Sequence, residues 1–189
     1  MCDVAINSVS HSLADFPHQA AIALGSNLGH SQAILDGALQ ALRETPHVCL
    51  DAYSRYYRTA AVGPPQPDYL NACAVMRTDL SPRALLHTLL DIETLFGRER
   101  RERWGPRTLD LDLLLFDNCV VAEPGLTIPH PRMGERAFVL VPLCDVASDW
   151  IHPTSQRAIA RLIERVDCSG VTPVSALMPQ HKESNSITH

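Results

Sequence analysis

The period of apolar and polar positions changes several times along the chain, and each change predicts an element. Ala20–Leu24 is a short apolar run that reads as a strand, with Gly25-Ser-Asn-Leu-Gly29 as the turn after it. Leu35, Ala38, Leu39 and Leu42 then recur at helical spacing. They predict a helix from an N-cap at Ser31 to about Glu44, closed off by Pro46. Val48–Tyr57 reads as a strand, Ala60–Asp68 as a proline-stiffened loop, and Tyr69–Thr78 as a second strand. Ser81-Pro82 is a cap followed by a first-turn proline. The helix it opens buries Leu85, Leu86, Leu89, Leu90 and Phe96 and stops at Gly97.

An arginine-rich loop follows, and Leu109–Phe116 reads as a buried strand. Asp117-Asn118 turns the chain into a short strand at Val120-Val121, and Ile128-Pro-His-Pro-Arg132 is a constrained loop. A helix from about Glu135 carries Phe138, Val139 and Leu140, and a last amphipathic helix is predicted over Ser155–Val166. The order strand, helix, strand, strand, helix, strand predicts an α+β fold: a ferredoxin-like sandwich of mainly antiparallel sheet with helices packed on one face. Residues 1–19 read as a flexible extension, 20–169 as one domain and 170–189 as a disordered tail.

The unusual stretch is Arg103-Trp-Gly-Pro-Arg-Thr-Leu-Asp-Leu-Asp-Leu-Leu-Leu-Phe116. Along a strand, Asp110 and Asp112 share one face, with Cα atoms about 7 Å apart, while Leu109, Leu111 and Leu113 take the other. Two carboxylates this close in an apolar run repel each other and resist desolvation, and a divalent cation relieves both problems. Oxygen-only ligation suits Mg²⁺, and Arg107 offers a planar fork for phosphate. A D-x-D pair is more often a solvated edge, but the apolar residues on both sides argue against an edge strand here. The glycines before the first helix could cradle phosphate, though a tight turn is the simpler reading.

Composition narrows the function. Of 16 basic residues 15 are Arg, so the lysine of a phosphate-binding P-loop is missing from every plausible position. No G-x-G-x-x-G is present. A net charge of −5 disfavours a general nucleic-acid binder, although Arg98–Arg107 packs five arginines into ten residues. Six scattered cysteines form neither a zinc motif nor a disulfide framework and fit a reduced, cytoplasmic setting. Neither a signal peptide nor a membrane span is predicted. On the residues alone, two other classes stay open. One is a magnesium phosphohydrolase using the same carboxylates. The other is a nucleic-acid module using the arginine run, with Tyr69 and Phe138 as stacking platforms.

Arg103–Asp112 resembles the central motif of the 6-hydroxymethyl-7,8-dihydropterin pyrophosphokinases of folate biosynthesis. Three more blocks agree in order and spacing: Ala23–Gly29; Tyr57–Thr59 with Gln66–Asn71; and Pro129–Met133 with Arg136–Phe138. The resemblance covers about Ala20–Asp149 and implies transfer of pyrophosphate from ATP to the pterin hydroxymethyl group, with two Mg²⁺ ions and release of AMP. It implies that Asp110 and Asp112 hold the metal, that Arg98, Arg103, Trp104, Arg107, His130 and Arg136 contact ATP, and that Arg98, Arg100 and Arg107 assist catalysis. Tyr69 and Phe138 would flank the pterin, Asn71 would read its polar edge, and Thr59 and Val62 would add backbone contacts. Neighbouring folate enzymes are implied as possible partners. The chain departs from the family pattern at Ala60 and Ala61, where prolines are common, and at Gly125, where some members have arginine.

Overall fold

The computed structural model describes residues 16–61, 65–97 and 107–174. In chain order it contains β1 (His18–Ser26), α1 (Ser31–Glu44), β2 (Val48–Tyr53), β3 (Tyr57–Thr59), β4 (Tyr69–Thr78), α2 (Pro82–Leu95) and β5 (Asp110–Phe116). There follow β6 (Val121–Glu123), β7 (Leu126–Ile128), α3 (Ala137–Ala147), β8 (Ile151–His152), β9 (Arg157–Ala158), α4 (Ile159–Leu162) and β10 (Val171–Pro173). The main sheet runs β10-β3-β4-β1-β5, with β2 also paired to β4, and every pairing is antiparallel.

Because β1 and β4 are apolar on both faces, each face of the sheet has to be covered. Ala20, Ile22 and Leu24 share a core with Leu35, Leu39 and Leu42 of α1 and Leu85, Leu89 and Ile92 of α2. Ala21, Cys73 and Val75 share a second core with Val139, Leu140 and Leu143 of α3 and Ile159 and Leu162 of α4. The expected antiparallel ferredoxin-like sheet is present, but helices pack on both faces rather than one. Within α1, Ser31 is the first helical residue; His30 occupies the cap and no side chain caps the helix. A cap contributes about 1 kcal/mol, whereas burial of each large aliphatic side chain contributes about 1.5–3 kcal/mol, so packing holds α1 without it. In α2 the expected cap is present, with Ser81 Oγ accepting from the Ala84 N–H at 3.3 Å.

Several boundaries differ from expectation for identifiable reasons. The strand expected over Val48–Tyr57 breaks at Ser54–Tyr56, where Ser54 Oγ accepts from the Cys73 N–H at 3.0 Å and donates to Arg55 O. A side chain thus replaces a rung of the ladder. Gly25 and Ser26 belong to β1 rather than to the turn. The helix expected over Ser155–Val166 is a β8–β9 hairpin, then the single turn α4 and a 3₁₀ turn at Ile163–Arg165. Gln156 there has φ +54° and donates its N–H to His152 O, which ends any helix before it starts.

The tail read from Gly170 begins instead with β10, which pairs with β3 through Val171–Thr59 and Pro173–Tyr57. Residues 175–189 lie outside the described residues, as do 1–15. His18 and Gln19, read as part of the extension, are the first residues of β1. Finally, β5 is an edge strand after all. Glu93 of α2, which is buried, accepts the Leu111 N–H at 2.7 Å, and Leu114 O accepts the His130 N–H at 2.9 Å. Hydrogen-bonding groups left open at the rim are thereby satisfied, which lets so apolar a strand sit at an edge.

Candidate active site

The sheet register builds the site. Asp110 pairs with Gly25, Gly25 with Asn71, and Asn71 with Tyr57, so these four residues form one row across β5, β1, β4 and β3. The next row is Asp112, Ala23 and Cys73. Strands lie about 4.8 Å apart, so the backbones of Asp110 and Asn71 are separated by about 10 Å with only Gly25 between them. A Cβ at Gly25 would lie 3.4 Å from Asn71 Oδ1 and 3.9 Å from Tyr69 Cδ1. Both side chains therefore lean over a floor that has no side chain of its own.

At one end of this floor stand the two carboxylates. Asp110 accepts from Arg107 Nη1 at 2.6 Å, and Arg136 Nη1 is 3.9 Å from Asp112 Oδ2. Burial raises the Asp112 pKa and Asp110 raises it further, while His130, Arg136 and Arg107 pull against that rise. The strain predicted from spacing is therefore present. Burial lowers the His130 pKa; Asp112 opposes the shift and Arg136 and Arg132 add to it. Burial lowers the Arg136 pKa too, and its guanidinium lies 5.4 Å from the centre of the Phe138 ring. His130 reaches this position because β5 carries a bulge. Ala21 pairs with Leu115 and Ile22 with Leu113, leaving Leu114 as the extra residue whose carbonyl docks the His130 backbone.

At the other end, Asn71 Nδ2 donates to Thr59 Oγ1 at 2.8 Å, and both residues are buried. Thr59, expected to act through its backbone, holds the amide with its side chain. Burial raises the Tyr69 pKa, and Arg107 and Asp110 lie close enough to act on it. The described residues thus bring together Thr59, Tyr69, Asn71, Arg107, Asp110, Asp112, His130 and Arg136, with Phe138 beside Arg136. Val62, Arg98, Arg100, Arg103 and Trp104 lie outside the described residues.

Two further residues belong here that sequence reasoning passed over. Gly25 is one; its signal was the run of small residues at Ala21, Ala23 and Gly25 on one face of β1. Asn27, also buried, is the other. It accepts the Arg107 N–H at 2.8 Å and donates to Gln66 Oε1 at 2.9 Å and Pro67 O at 3.1 Å, and its N–H donates to Arg107 O at 3.0 Å. One amide ties the ends of three segments together. A cavity of about 730 Å³ opens between the start of α1 and the loop before β4, and it touches this cluster through Asn27 and Tyr69.

Among the described residues no group of three or more His, Cys, Asp and Glu side chains could hold a metal by itself. Two carboxylates fit Mg²⁺, which completes its shell with water and phosphate oxygens, and do not fit a structural zinc site. Among the same residues no helix is long and apolar enough to cross a membrane.

A sequence model of the family described as 7,8-dihydro-6-hydroxymethylpterin-pyrophosphokinase (HPPK) matches residues 21–148. The chain is 49% identical over 167 residues to the Synechocystis 2-amino-4-hydroxy-6-hydroxymethyldihydropteridine pyrophosphokinase, covering 87% of this chain and 86% of the relative. It is 48% identical over 138 residues to the Haemophilus influenzae protein of the same name, covering 72% of this chain and 86% of the relative. In fold it is similar to wild-type Plasmodium falciparum HPPK-DHPS, with a TM-score of 0.62 at 13% identity, covering 78% of this chain and 44% of that one. The chain thus spans less than half the length of that solved protein.

Proposed function

The chain belongs to the 7,8-dihydro-6-hydroxymethylpterin-pyrophosphokinase family, and we propose that the row Asp110–Gly25–Asn71 with its surrounding side chains is its active site. As a member it transfers pyrophosphate from ATP to 6-hydroxymethyl-7,8-dihydropterin in folate biosynthesis. The observation that carries the site assignment is the bare floor at Gly25. It lets a flat heterocycle read by Asn71 and a polyphosphate gathered at Asp110 and Asp112 meet within one strand's width.

In this reading Asp110 and Asp112 would hold two Mg²⁺ ions, whose charge would offset that of the polyphosphate and favour ionisation of the hydroxymethyl oxygen. Arg107 supplies charge to the phosphates and is anchored for that task by the Asn27 bonds to its backbone. Burial lowers the His130 pKa, which favours the neutral ring, and the imidazole would donate a hydrogen bond to a phosphate oxygen. Tyr69 and Phe138 flank the pterin, and Asn71, fixed by Thr59, pairs with its polar edge. The pterin oxygen forms a bond to the β-phosphorus of ATP as the bond from that phosphorus to the α-phosphate oxygen breaks. The hydroxyl proton passes to solvent and AMP leaves. Such a displacement needs positioning and charge neutralisation more than a covalent group. The roles given by resemblance to Val62, Arg98, Arg100, Arg103 and Trp104 belong to the same proposal.

We place the reaction in the cytoplasm, which the free state of Cys49, Cys73, Cys119, Cys144 and Cys168 supports. The Plasmodium protein carries HPPK and DHPS in one name, which supports folate-pathway neighbours as partners. Product analysis tests the reading. The protein incubated with MgATP and the reduced pterin should yield AMP and pterin diphosphate in equal amounts. Release of ADP or inorganic phosphate without a pterin product would point to a phosphohydrolase instead.

A further inference from the structure

We propose that Asp145, acting through Tyr57 and Arg55, is a positioning residue that fixes the pterin-reading amide of Asn71 relative to the helix carrying Phe138. The inference rests on the reading above that Asn71, Thr59 and Phe138 hold the pterin.

Asp145 of α3 is the shared acceptor for the Arg55 backbone N–H, the Arg55 side chain and the Tyr57 hydroxyl at the start of β3. Its Oδ2 accepts from Tyr57 OH at 2.9 Å, from Arg55 Nε at 3.2 Å and from the Arg55 N–H at 3.2 Å, while Oδ1 accepts from Arg55 Nη2 at 2.9 Å. Arg55 Nη2 also donates to Tyr57 OH at 2.8 Å, closing a ring of three side chains. Four hydrogen bonds from a single segment converge on this one carboxylate, three of them on Oδ2. Exposed ion pairs usually add little to stability, so so many bonds to one rim carboxylate need another explanation.

Geometry supplies one. Tyr57 pairs with Asn71 in the sheet, and Thr59, two residues on and facing the same way, holds the Asn71 amide. The strand that carries both is three residues long and follows the break at Ser54–Tyr56, and among the described residues it is held in the sheet by its pairings with β4 and β10. On α3, Asp145 lies two turns beyond Phe138 and therefore on the same stripe of the helix. Phe138 packs against the second core, and Cys73 Sγ lies 3.5 Å from Val139 O between β4 and α3. The Asp145 ring thus joins the two walls of the pterin slot, one through Tyr57 to Thr59 and Asn71, the other through α3 to Phe138. Burial raises the Tyr57 pKa, and its hydrogen bond to Asp145 raises it further, so the phenol remains a donor.

Tyr57→Phe removes the hydroxyl and keeps the ring, and Asp145→Ala removes the hub. Calorimetry with Mg²⁺ and a non-hydrolysable ATP analogue, then with the reduced pterin, separates the two affinities. Loss of the hub should weaken pterin binding about tenfold, the scale of a binding group held slightly out of place, and leave the ATP analogue within about twofold. Tyr57→Phe should show the same asymmetry at about threefold. In turnover, KM for pterin should rise by more than kcat falls. Should Asp145→Ala fail to fold, Tyr57→Phe decides alone. Pterin affinity unchanged in Tyr57→Phe, or both ligands weakened by one factor, overturns the inference. A wild-type protein that binds the ATP analogue but no pterin overturns the pterin reading as well.

Discussion

Replacing Gly25 by alanine separates what the floor does for binding from what it does for folding. Gly25 lies inside β1, and glycine within a strand costs roughly 0.5–1 kcal/mol relative to alanine. The new methyl would lie 3.4 Å from Asn71 Oδ1, near the inner limit of ordinary contact, which consumes part of that gain. Melting should therefore stay level or rise by up to about 3 °C, given roughly 2–4 °C per kcal/mol for a chain of this size. Catalysis should respond in the opposite direction. The added carbon raises the floor by about 1.5 Å, one carbon–carbon bond length, midway between Asp110 and Asn71. A misplacement of about 1 Å can cost about a hundredfold, so kcat/KM for pterin should fall by that factor, roughly 2.7 kcal/mol of barrier. AMP release at limiting pterin, run beside a thermal melt, measures both quantities. Activity within about threefold of wild type in a protein that melts normally would show that the heterocycle does not lie over Gly25.

Three other outcomes are expected. Asp110→Asn or Asp112→Asn should lower turnover by at least about a thousandfold, roughly 4 kcal/mol, with the fold kept because a crowded charge has been removed; a loss under about tenfold would exclude a shared metal site. Glu93→Ala should leave the Leu111 N–H at the sheet edge without this acceptor and lower unfolding free energy by about 1–3 kcal/mol; an unchanged urea midpoint would refute the edge-capping role. Burial raises the Asp145 pKa, but the bonds from Arg55 and Tyr57 lower it by more, so it lies below its ordinary value. Its contribution is therefore present above about pH 4 and lost as pH falls through the depressed folded value. The stability gap between wild type and Asp145→Asn should be flat above that pH and narrow below it, and a gap that instead widens on acidification would contradict the assignment.

Much of this was legible because it is local. Tyr69–Thr78 and Pro82–Leu95 match their predicted spans because alternation, a cap and a proline all lie within the element. The carboxylate pair was legible for the same reason, since same-face placement needs only a strand. What escaped depends on partners far along the chain. Asn27 acquires its role from Arg107, 80 residues on, and the break at Ser54 exists because Cys73, 19 residues on, offers its N–H. The pairing of β10 with β3, where Thr172 Oγ1 donates to Arg58 O across 114 positions, is invisible to any local pattern in a polar tail. The edge position of β5 was hidden differently: its apolar run implies cover, and a buried glutamate from α2 helps to supply it.

The strand β1 serves two cores at once, with Leu24 turned into one and Ala23 and Gly25 turned toward the other face. A deletion or insertion of one residue in it would exchange those faces and bring Leu24 or Ser26 between Asp110 and Asn71, while removing a large side chain from among α1 and α2. Substitutions along β1 can be graded in effect, but changes in its length cannot. Length variation therefore belongs outside this strand, and the spacing from Ala20 to Asn27 should tolerate neither insertion nor deletion.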